Sequence, residues 1–207
     1  MMVFYLLYSI LIILNFLNYL FVLLKNYYNL MVDSWGAFIQ NYLVNNVHGE
    51  TTIYNACESG ALFGPDGTIW ASTEGFKFNP ASKVTVSKDD GTTEEITINE
   101  FEHLKDAIEK NGDTTKMKRG GVHFMGIKWV VLDGFKGEGY YTQYFKRDGG
   151  GAAVTRTDNG NYCLGSWNAQ VKAVTAKGDD KKEVKQSVGF CNNAVDDLSK
   201  VLAQSGL

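Results

Sequence analysis

Cysteine is scarce in this chain of 207 residues: only Cys57, Cys163 and Cys191, odd in number, far apart and without C-x-x-C spacing. That excludes a disulfide framework or a zinc site as the organising principle and fits reduced thiols in the cytosol. No N-x-S/T sequon occurs, a point in the same direction. Enzyme signatures are missing too: there is no H-E-x-x-H, no G-x-S-x-G elbow and no G-x-x-x-x-G-K loop. The three histidines, His48, His103 and His123, are scattered and read as surface or strand residues, not bases. Excess positive charge is absent as well. A net charge of -3 and a pI near 5.6 supply no general attraction to phosphate backbones, which argues against nucleic acid as the main partner. With 44% hydrophobic and 21% charged residues the chain is ordinary for one packed domain, so whole-chain disorder or a fibrous repeat is excluded.

The amino end departs from this. Residues 1–24 carry no charge and are dominated by Leu, Ile, Phe and Tyr, long enough to cross a bilayer at about 20 residues per helix. A membrane or signal anchor is one reading. The other is composition: residues 1–30 lack Gly, Ala, Pro and Arg, whose codons are GC-rich, whereas all 22 glycines fall later. Such a run is what translated non-coding DNA gives, and Met31, opening M-V-D-S-W, is a plausible start. The expected division is a hydrophobic extension at 1–30 and a domain at 31–207. No A-x-A-like cleavage site is visible.

After Met31, Trp35, Phe38, Ile39, Tyr42 and Leu43 recur at helical spacing behind Asp33 and Ser34, predicting an amphipathic helix that ends near Asn45. Ile53 to Phe63 and Thr68 to Ser72 flank G-P-D-G and predict a hairpin. Lys83 to Lys88 and Glu94 to Ile98 alternate around D-D-G-T, a second and more polar hairpin. Asn99 with Glu102 resembles a capping box, and Phe101, Leu104 and Ile108 follow at helical spacing up to Asn111. Gly121 to Leu132, Gly139 to Phe145, Ala152 to Thr157 and Asn161 to Ser166 read as strands, and Lys172 to Gln186 as a solvated loop. Phe190, Ala194, Val195, Leu198, Val201 and Leu202 form the apolar stripe of a final helix, with Gly206 just past it. This order implies α+β with an antiparallel central sheet.

Two constellations could carry function. The aromatic set Trp35, Phe38 and Trp70 could stack on the proline rings of a PPII helix. From spacing alone, plain core packing outweighs that reading. The basic set Lys116, Lys118, Arg119, Lys128, Lys146 and Arg147 could meet an acidic protein surface or phosphoinositide head groups, against the simpler account of a solvated face. The D-G-G-G-A run at 148–152 lacks a following helix to complete an anion site and reads as a turn between strands.

Several motifs resemble the profilins, small proteins that bind actin monomers. They are S-W-G-A-F at 34–38, D-G-T-I-W-A at 66–71, G-V-H-F-M-G-I-K-W at 121–129, G-G-G-A-A-V-T-R-T at 149–157 and C-N-N-A-V-D-D-L-S-K-V-L-A-Q-S-G-L at 191–207. They occur in the family's order and cover most of residues 33–207. The hairpin at 83–98 is similar to an arm found in some protist profilins. The resemblance implies a profilin-like antiparallel sheet of six or seven strands with the N- and C-terminal helices packed on one face. It implies no catalysis, cofactor or metal, and a place in the cytoplasm and cytoskeleton. For actin it points to Lys128, Lys146, Arg147, Gly189, Asn192, Asn193 and Asp197, together with Lys118 and Arg119. For poly-proline it points to a groove with Trp35, Phe38, Trp70, Val201 and Leu207. Val201 and Leu207 stand where many profilins have an aromatic residue, which implies weak binding of proline-rich assembly factors. A membrane-anchored or phosphoinositide-binding adaptor on the same fold is the alternative.

Overall fold

The structure, a computed structural model, describes residues 35–88, 90–113 and 119–207. The run at 1–30, the candidate caps Asp33 and Ser34, and the basic residues Lys116 and Lys118 lie outside the described residues. Among the described residues no helix is long and apolar enough to cross a membrane.

Residues 35–38 are α-helical and continue into a π-helical segment, Ile39–Val44, whose wider turn is closed by the Asn45 N–H donating to the Gln40 carbonyl. This amino-terminal helix buries Ile39 and Leu43. Two longer helices follow: α1 (Glu100–Glu109), capped by the Asn99 side chain accepting from the Glu102 N–H, and α2 (Val188–Gln204), capped by Ser187. The cap oxygens satisfy amides that the first turn leaves without partners.

The central sheet has seven antiparallel strands. They are β3 (Ser59–Phe63), β4 (Ile69–Ser72), β7 (Val122–Phe124), β8 (Ile127–Lys136), β9 (Tyr140–Arg147), β10 (Gly150–Thr157) and β11 (Tyr162–Asn168). Their spatial order is β4-β3-β11-β10-β9-β8-β7. Strand alternation then divides the core in two. Ala61, Phe63, Ala152, Val154, Tyr162 and Leu164 point to one side, where Phe101, Leu104, Ala107 and Ile108 of α1 meet them. Leu62, Ala153 and Cys163 point to the other, under Ile39, Leu43, Cys191, Ala194, Val195, Leu198 and Leu202. Each large side chain fully buried here contributes about 1.5–3 kcal/mol. The amino-terminal helix and α2 therefore share one face, as the profilin-like α+β reading requires.

Three expected boundaries are corrected. Ile53 to Phe63 is not one strand: Asn55, at φ 58, breaks it, so that β2 (Thr51–Tyr54) leaves for a second sheet. Gly121 to Leu132 is also two strands, β7 and β8, reversed at Met125 (φ 58) and Gly126 (φ 70). The supposed loop at Lys172 to Gln186 is a hairpin, β12 (Lys172–Lys177) and β13 (Asp180–Lys185). With β1 (Asn45–His48) these strands form a four-stranded sheet in the order β1-β2-β12-β13. Its polarity hid it, because only Ala173 and Ala176 of β12 are buried while β13 is almost wholly exposed. Gly178, at φ +60, makes the two-residue turn that closes the hairpin.

Outside both sheets, β5 (Ser82–Ser87) and β6 (Thr93–Ile98) pair only with each other and bury Val84, Val86 and Ile98 in a small cluster of their own. Glu100, 1% exposed, clasps the root of this arm to the sheet. Its carboxylate accepts from the Asn79 N–H at 2.9 Å, the Ser82 hydroxyl at 3.0 Å, and the Met125 and Gly126 amides at 3.1 and 2.9 Å. Replacing it leaves four donors without an acceptor, at a typical cost of 1–3 kcal/mol for a buried group and more for a charged one. Glu100→Ala is therefore expected to lose about 3 kcal/mol in urea unfolding. A loss under about 0.5 kcal/mol, the level of an ordinary surface change, would show that the clasp holds nothing.

Candidate functional site

Two surfaces share the α2 side of the sheet. The first is aromatic. The helical spacing of Trp35, Phe38 and Tyr42 puts them on the flank of the amino-terminal helix, while Ile39 and Leu43 enter the core. Trp35 lies 5.6 Å from Phe38 and 5.2 Å from Trp70 of β4, and Phe38 lies 6.0 Å from Tyr42 with the rings nearly parallel. All four are half-buried. The tail turns back through the Leu207 N–H donating to the Leu202 carbonyl at 3.0 Å, and Leu207 packs against the same buried core that supports these rings. Val201 is half-buried on α2. Trp35, Phe38 and Trp70 are thus brought together, and Tyr42 extends the row beyond the residues singled out from sequence.

The second surface is where β8 and β9 run out from under α2. A cavity of about 610 Å³ opens there, lined by Leu132, Tyr144, Lys146, Trp167, Val188 and Asn192 among others. Around it Val130 is 61% exposed, Val188 54% and Leu132 44%, high values for apolar side chains on regular elements. Lys128 and Lys146 are exposed on the neighbouring strands, and Gly189 is exposed in the same first turn of α2 as Val188. Apolar centre with basic rim is the anatomy of a protein-binding patch.

The other residues expected here are spread out. Arg119 pairs with Glu94 of the arm. Arg147 points to the opposite side of the sheet from Lys146, donating to Glu58 at 2.8 Å and lying 5.5 Å above the Trp129 ring. Asn193 is half-buried, and Asp197 turns toward β1, accepting from the Asn46 amide at 3.2 Å with His48 at 3.5 Å. Val130, Leu132 and Val188 were missed, since a continuous V-V-L run does not reveal which members a helix leaves uncovered.

A family model described as Profilin matches residues 33–207. The chain belongs to the profilin family. No curated protein matches it. Profilins are a non-enzymatic actin-binding family, so the chain takes from membership a general role in actin binding.

Arg147 and Lys146, adjacent in a profilin strand, should separate in experiment. Glu58 also accepts from Asn168 at 3.0 Å, so removing Arg147 leaves a partly buried carboxylate short of a donor. Arg147→Ala is expected to cost about 1–2 kcal/mol, whereas Lys146→Glu should leave the thermal midpoint unchanged. Equal effects of the two on chemical unfolding would contradict the assignment of opposite faces.

Proposed function

We propose that this profilin binds monomeric actin through the β8–β9–α2 face and so regulates filament assembly in the cytoplasm, while the aromatic groove recruits proline-rich factors weakly. The observation that carries the first part is the exposed apolar group Val130, Leu132 and Val188 beside a cavity, with Lys128 and Lys146 at its rim. Buried apolar anchors supply most of an interface's energy, and rim charges steer and orient the partner. Gly189 lets a partner backbone come close to the first turn of α2, and Asn192 offers a neutral donor and acceptor there. Arg147, Asn193 and Asp197 act here as supports of this centre, and Arg119 is held by Glu94 of the arm. No step of this function is chemical. Titration of labelled monomeric actin tests it: Leu132→Asp should weaken binding at least tenfold, since a charge is then buried in the interface. Lys146→Glu should weaken it less and make it less sensitive to salt. Wild-type affinity in both variants would place the interface elsewhere.

The groove is read as weak because Val201 and Leu207 give no ring face beside Trp35, Phe38 and Trp70. A proline ring stacked on an aromatic face contributes about 1 kcal/mol, so two missing faces cost about thirtyfold in affinity. Tryptophan fluorescence with poly-proline is the measurement. Saturation is expected only at high ligand, Trp35→Ala should abolish the response, and Val201→Tyr with Leu207→Tyr should tighten binding. Tight wild-type binding that ignores Trp35→Ala would make Trp35 ordinary core.

A further inference from the structure

We propose that Cys57 and Cys191 form an oxidant-responsive pair whose disulfide ties the segment after β2, which holds the end of the amino-terminal helix, to the first turn of α2. Cysteines that are remote in sequence meet in one core: the Cys57 and Cys191 sulfurs lie 3.4 Å apart although 134 positions separate them. Both are buried. The space they fill exists because residue 165 is glycine: a Cβ there would stand 2.9 Å from the Cys57 sulfur and 3.2 Å from that of Cys191. The two thiols therefore face each other over bare backbone, with little between them to move. The third cysteine is differently placed. Cys163 lies 3.4 Å from the Ser199 hydroxyl, on the same buried side, and burial pushes its thiol up to about 11.

Each partner sits at a junction. The Cys57 N–H donates to the Leu43 carbonyl and the Ala56 N–H to that of Val44, so this segment holds the end of the amino-terminal helix. Cys191 lies in the turn that carries Val188, Gly189 and Asn192, its N–H donating to Ser187. A covalent link between them would fix that turn against the segment supporting the aromatic groove.

The chemistry balances with hydrogen peroxide as oxidant. One thiol, as thiolate, attacks a peroxide oxygen; the O–O bond breaks, hydroxide leaves and takes up a proton to become water, and a sulfenic acid remains. The second sulfur attacks the first, the S–O bond breaks and a second water leaves. Two thiols and one peroxide give one disulfide and two waters, with two electrons passing from sulfur to oxygen. Hydrogen bonding to Cys191 and then burial hold the Cys57 thiol above its ordinary range, so thiolate is scarce. The pair stays reduced under mild conditions and responds to sustained oxidant.

The test uses the full chain, treated with hydrogen peroxide, quenched, denatured, alkylated and mapped by mass spectrometry without reduction. Expected are the loss of two hydrogens, one peptide pair joined through Cys57 and Cys191, and an alkylated Cys163. The thermal midpoint should rise by about 5–10 °C, because the link closes a long loop, and a reducing agent should reverse it. Cys163→Ser should keep both effects and Cys57→Ser should lose both. Should Cys57→Ser fail to fold, the map of the Cys163→Ser variant still decides. Three alkylated thiols after peroxide, a link through Cys163, or a link between two chains would overturn the proposal.

Discussion

The dry burial of both faces of strands β3, β10 and β11 constrains everything else in this molecule. Residues 61 to 63, 152 to 154 and 162 to 164 send neighbours alternately into two cores, so a slip of one residue would exchange every partner at once. Register is thereby fixed, and the helices are placed by it. Coverage is then a matter of width. Seven strands at about 4.8 Å spacing span nearly 30 Å, whereas two helices side by side cover about 20 Å. Something on that face has to stay open. The amino-terminal helix and α2 sit over β3, β11, β10 and the first part of β9, and what is left open is β8 with the Lys146 end of β9, where Val130, Leu132 and Lys146 reach solvent. The candidate actin face is thus a consequence of sheet width, formed without any special loop.

How much of this was legible in the sequence follows from the same geometry. The terminal helices, the G-P-D-G hairpin and α1 were readable because periodicity and capping are local properties, and Asn99 does cap the Glu102 amide. The hairpin at 172–185 was not, since its lysines outnumber the two alanines that anchor it. Nor was the reversal at Met125 and Gly126, because both flanking segments are apolar and one long strand would have the same composition. At the site, Trp35 and Phe38 were readable from helical spacing, and Trp70 joined them through its hairpin. Lys146 and Arg147 were not separable, because which of two neighbours faces α2 depends on the pairing of β9 with β10 and on the irregularity of β8 between Val131 and Gly134.

Both surfaces draw on α2. Its first turn carries Val188 and Gly189, with Asn192 just after, at the open strands, and its end carries Val201 with the tail that folds Leu207 back onto the buried core that also supports the aromatic row. At 1.5 Å per residue, Val188 and Val201 stand about 20 Å apart along the axis, enough for two partners to bind without touching. Between them Cys191, Ala194, Val195 and Leu198 are buried almost completely, and Leu202 continues the stripe. A helix held along its whole length by close packing moves as one body or not at all, since interiors at crystal-like density leave no room for a bend. Within that stripe Cys191 meets Cys57 over Gly165, so the disulfide proposed above would add a covalent hold to a helix that packing already fixes in place.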